Sequence, residues 1–165
     1  MAKPTRYATL ICAIMSVVAV IFIIGGLLMR NSIVILVGLT PSVVYEVYRT
    51  EGESTRWASW AMAGVLVLEF VLVIFHIGFD LAGFLGASSQ QVAGYSVPLG
   101  DIRIVGPAVM AVLAIILILR TRGVYTRWLA ANIIVCVLAL TYVLDPNVFQ
   151  ELLRQGVQEG MNQIR

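Results

Sequence analysis

The chain has 165 residues, 60% of them hydrophobic and 12% charged, with a net charge of +2. Ordinary soluble domains are about 45–50% apolar and about one-quarter charged, so this composition excludes a conventional water-soluble fold for most of the chain. The small positive balance, with no basic residues interleaved with aromatics in a soluble stretch, gives no nucleic-acid surface.

The charges crowd between apolar runs of about twenty residues, the length that crosses a hydrocarbon layer roughly 30 Å thick. In that layer every backbone N–H and C=O must be satisfied within the protein, which leaves helices and closed barrels. A barrel strand alternates apolar and polar side chains over about ten residues, whereas residues 7–29 are apolar on all sides. The predicted fold class is therefore all-α integral membrane. It comprises a bundle of five transmembrane helices over residues 1–146 and a C-terminal amphipathic interfacial helix over 147–165.

The first predicted helix covers 7–29; Lys3 and Arg6 precede it, but the run exceeds a signal h-region of roughly 7–15 residues. The second, 33–48, is short and interrupted by Pro41, and it either spans thinly or is re-entrant. A tight reversal at Arg30, Asn31 and Ser32 precedes it. The third runs over 57–86 with Trp57 and Trp60 at interfacial depth. The longest connection, 87–100, reads as an exposed, turn-rich loop. The fourth helix, 104–119, carries Pro107 in its first turn, where proline is tolerated. The fifth, Val124–Leu144, stops at Asp145-Pro146. In the tail, Phe149, Leu152, Leu153, Val157, Met161 and Ile164 form an apolar stripe, with Asn147 as the expected cap.

Five crossings with the N-terminus inside place Lys3, Arg6, Arg49, Arg56, Arg120, Arg122 and Arg127 on the cytoplasmic side, leaving Arg30, Arg103, Arg154 and Arg165 outside. That bias predicts a multi-pass protein of a prokaryotic cytoplasmic membrane, N-terminus cytoplasmic and C-terminus outside. Four crossings would lose the bias.

Ionisable side chains inside a membrane are costly and mark function by default. Glu69, His76 and Asp80, spaced by seven and four residues, fall within about 40° of one another on a continuous helix. Glu69 and Asp80 would lie roughly 16 Å apart and His76 and Asp80 about 6 Å, a spacing suited to stations on a proton or cation path. The competing reading makes them interhelical hydrogen-bonding groups. Glu46 and Arg127 form a possible buried ion pair. His76 is the one candidate ligand for a haem or pigment; otherwise no cofactor is expected. No closed metal site is expected, because His76 and Asp80 supply too few ligands. Cys12 and Cys136 lie in apolar runs and make neither a disulfide framework nor a CxxC motif. Gly25 with Gly26, and Gly78 with Ala82, allow close helix packing.

Three functions follow from these residues. The first is a small channel or transporter for protons or cations, working as a homo-oligomer because five helices leave little room for a pore. The alternative is an accessory or assembly subunit of a larger, energy-converting membrane complex. The third is a haem- or pigment-binding protein. No catalytic motif points to an enzyme.

Overall fold

The computed structural model describes residues 7–50, 53–77, 89–92, 95–98, 102–121, 123–147, 149–150 and 154. Among the described residues five long helices follow in chain order: α1 (Ala8–Met29), α2 (Ser32–Arg49), α3 (Glu53–Ile74), α4 (Ile102–Arg120) and α5 (Val124–Leu144). Each contains a stretch long and apolar enough to cross a membrane. Between α3 and α4 lies an antiparallel hairpin of β1 (Ser89–Val92) and β2 (Tyr95–Pro98), with Ser89 opposite Pro98 and Val92 opposite Tyr95. The connection expected to be irregular thus contains a short sheet, since paired strands satisfy their backbone groups locally.

The segment expected to span thinly or re-enter is a helix of 18 residues, about 27 Å long at 1.5 Å per residue. Asn31 opens it, its side chain accepting from the Ile33 N–H at 3.0 Å. Pro41 lies inside the helix, and one residue earlier the Thr40 hydroxyl donates to the Leu36 carbonyl at 2.9 Å. Such a bond back along the helix accommodates a local bend.

Consecutive helices pack antiparallel around a ring from α1 to α5, which closes back on α1, and α2 also touches α5 across it. α2 and α5 are consequently the most enclosed helices, and α1 shows the most surface. Leu36, Leu39, Val43, Met62, Met110, Leu117, Ile133 and Leu140 fill the centre. Glycines set the closest approaches: a Cβ at Gly38 would fall on Cβ of Phe22, and one at Gly26 on Cγ1 of Ile35, so α1 and α2 cross nearly backbone to backbone.

α1 and α3 end in the same way. The Asn31 N–H bonds the Gly26 carbonyl at 3.0 Å and the Arg30 N–H bonds Leu27 at 3.3 Å, with Arg30 left-handed at φ 48°. In α3 the Ile77 N–H bonds Leu72 at 3.0 Å and the His76 N–H bonds Val73 at 3.3 Å, with His76 at φ 50°. Both are Schellman closures, a conformation glycine usually supplies. α3 therefore stops at Ile74, not at 86, although Phe75 and Ile77 continue its apolar character.

Two smaller expectations are corrected. Pro107 is the sixth residue of α4, which begins at Ile102, and so lies beyond the first turn. After α5 the cap is Asp145 in place of Asn147: its carboxylate accepts from the Asn147 N–H at 2.9 Å, with Pro146 between them. Most of the amphipathic helix expected over 147–165 falls outside the described residues. Phe149 packs edge-on against Tyr142, ring centroids 5.4 Å apart.

Candidate functional site in the buried carboxylates

Two carboxylates, Glu69 and Glu46, lie at 0% exposure inside the bundle. α3 buries Met62, Leu66, Glu69 and Val73, positions spaced by three or four residues and hence on one face. The neighbour at Glu69 is Gly106 of α4: a Cβ there would coincide with Oε2 of the carboxylate. The absent side chain at 106 is thus the space that Glu69 occupies, and α3 and α4 close around an acid within an apolar layer.

Because Oε2 is the free end of a flexible side chain, Gly106→Ala forces the carboxylate out of its notch without requiring the backbone to move. The cost of that substitution should fall sharply in a Glu69→Ala background. A coupling of about 0.5–3 kcal/mol in a double-mutant cycle of detergent-phase unfolding is expected; additive effects would place the acid elsewhere.

The other residues of the expected stripe do not extend this site. His76 lies past the end of α3, exposed, with a left-handed backbone that breaks the helical spacing, and its Nδ1 is 3.1 Å from the Ile74 carbonyl. Arg103 reaches the same turn, its Nε donating to the Ile77 carbonyl at 3.4 Å. Asp80 lies outside the described residues, as do Gly78 and Ala82.

Glu46 and Arg127 are not brought together. Arg127 is exposed and its Nε donates to the Thr121 carbonyl at 2.8 Å. Glu46 sits one turn from the carboxyl end of α2, with the Thr50 hydroxyl 3.2 Å from Oε1 and 2.7 Å from its main-chain carbonyl. Ser59 of α3 continues the cluster, its hydroxyl 2.8 Å from Thr50 Oγ1 and 3.2 Å from the Thr55 carbonyl. The i, i+4 spacing of Ser42, Glu46 and Thr50, and of Thr55 and Ser59, is the sequence signal that could have revealed this cluster.

Around it runs a polar rim. Asn132 Nδ2 donates to Ser42 Oγ at 3.0 Å, and Trp128 Nε1 donates to Ser16 Oγ at 3.0 Å. The hydroxyls of Thr9 and Tyr125 lie 3.0 Å apart. Arg49 faces the Tyr125 ring, its Cζ 4.7 Å from the centroid, and its Nη1 is 3.5 Å from the Tyr45 hydroxyl.

At 1.5 Å per residue, Glu46 is about 5 Å from the carboxyl end of α2 and Glu69 about 8 Å from that of α3; Glu69 lies about 15 Å along α3 from Ser59, which closes the Glu46 cluster, so the two sites are roughly 15 Å apart along the axis. Beyond the Ser42–Asn132 pair, the layer between them is filled by buried apolar side chains, among them Leu39, Met62, Met110 and Ile133. Among the described residues no three His, Cys, Asp or Glu side chains gather to hold a metal ion. Comparison with protein-family models, curated proteins and solved structures finds no match to this chain.

Proposed function

We propose that the protein moves protons or cations across its membrane, with Glu69 as the exchanging group. The observation that carries this reading is the fully buried carboxylate in the Gly106 notch. An ionisable group placed there costs several kcal/mol unless hydrated or paired, and the missing side chain on α4 is what makes room for it. His76 stands exposed at the adjacent end of α3, where it would form the mouth of the path. A homo-oligomer supplies the wet surface that one five-helix copy lacks. The helix ends that carry Arg49, Arg120 and Arg127 would face the cytoplasm, in keeping with the positive-inside rule.

Proton flux into proteoliposomes under an imposed potential, followed with an enclosed pH dye, tests the reading. Wild-type protein is expected to exceed protein-free vesicles, and Glu69→Gln to fall by about a hundredfold or more, the scale of loss that general acid–base groups commonly give. A Glu69→Gln variant with undiminished flux removes the acid from the mechanism.

The apolar layer between Glu69 and Glu46 favours a second reading, an accessory subunit of a larger membrane complex in which Glu69 joins α3 to α4. Wild-type vesicles no more permeable than empty ones would select it.

A further inference from the structure

We propose that the Glu46 cluster binds a monovalent alkali cation, with Na+ as the ion to test. Six oxygens belong to it: Oε1 and the main-chain carbonyl of Glu46, Thr50 Oγ1, Ser59 Oγ and the Thr55 carbonyl, linked one to the next by hydrogen bonds, and Oε2 of the same carboxylate. The hydroxyls of Thr50 and Ser59 bring two protons to the four side-chain contacts among these oxygens, which span 2.7 to 3.2 Å. Glu46 Oε2 is buried without a hydrogen-bond partner among the described residues. The Glu46 carbonyl also accepts from the Thr50 N–H at 2.9 Å, so among the described residues it is the carboxylate that is short of donors, and a buried acceptor left in that condition is costly.

Among the described residues no cation is in contact with the acid: Arg49, whose charge acts on Glu46 without bonding it, lies over the Tyr125 ring, Arg127 donates to the Thr121 carbonyl, and Arg56 is exposed. A positive charge in contact with the carboxylate is therefore what the described cluster lacks. All six donors are hard oxygens, which select alkali and alkaline-earth ions over transition metals. With one carboxylate the set balances a single charge, so a monovalent ion fits better than a divalent one. The cluster also lies at the carboxyl end of α2, where the helix dipole is negative, the kind of helix end that holds coupling ions in membrane carriers. The site does not depend on the role assigned to Glu69.

Thermal unfolding of the purified full chain in detergent, in NaCl against choline chloride at equal ionic strength, tests the proposal. At a Na+ concentration about ten times Kd, the wild type should melt roughly 3–6 °C higher in NaCl. Glu46→Gln should lose that difference, Ser59→Ala should need several-fold more NaCl to reach it, and Glu69→Gln should keep it. Equal melting of the wild type in the two salts would overturn the site and assign the cluster to a protonated acid. So would a Na+ response that survives Glu46→Gln, or, should that variant fail to fold, an unchanged NaCl dependence in Ser59→Ala.

Discussion

Gly38→Ala is expected to destabilise the bundle by about 1–3 kcal/mol, and Gly38→Leu by more. In a helix interior this exchange ordinarily gains up to about 1 kcal/mol, because alanine is the better helix former. The sign inverts here because the added methyl would fall on Cβ and Cγ of Phe22. Cβ is fixed by its own backbone, so no rotamer change relieves the clash, and α1 must move away from α2. Gly64 is the internal control, since a Cβ there meets nothing within 4 Å. Gly64→Ala should be neutral or stabilising under the same conditions. Detergent-phase unfolding that ranks the two alanine variants equally would show that α1 and α2 do not cross at Gly38.

Val17→Asp and Ile21→Asp should each raise the free energy of inserting α1 by about 3 kcal/mol, the penalty for a charge near the centre of a membrane helix. Val17 is 60% exposed and Ile21 61%, so in a water-soluble bundle either change would stay within about 0.5 kcal/mol. The two expectations are far enough apart for a glycosylation-based insertion assay of the Ala8–Met29 segment. The double variant should leave a large fraction of α1 uninserted. Insertion as efficient as that of the native segment would mean that this face does not meet hydrocarbon.

The number and kind of long elements were legible because a backbone in lipid has so few alternatives. Even α2 emerged from its flanking polar turns despite Pro41. The end of α3 was not legible. Phe75 and Ile77 extend its apolar run, and what stops the helix is the left-handed backbone at His76 with its paired Schellman bonds, a conformational event that hydropathy does not register. The stripe joining Glu69 to His76 assumed a continuous helix through both and ends with it. The hairpin between α3 and α4 was missed for a related reason, since Ser89–Val92 and Tyr95–Pro98 are too short and polar to stand out from turn residues.

The buried carboxylates divide along the same line. That Glu69 is an acid within an apolar helix was plain from its neighbours in the chain; that Gly106 supplies its space required α4 to be laid against α3. Glu46 was matched with Arg127 by axial level, yet Arg127 turns outward while Thr50 and Ser59 close on the acid.

By itself, the sequence determined five helices long and apolar enough to cross a membrane. Tertiary structure alone decided which side of each helix faces protein. In water a buried face is marked by its apolar stripe, but lipid tails are as apolar as a protein core. Leu36 at the centre and Leu28 on the rim therefore read alike, though one is buried and the other 81% exposed. Only the fit of glycines, hydroxyls and carboxylates between neighbouring helices separates the two faces, and that fit is written across helices and not along any one of them.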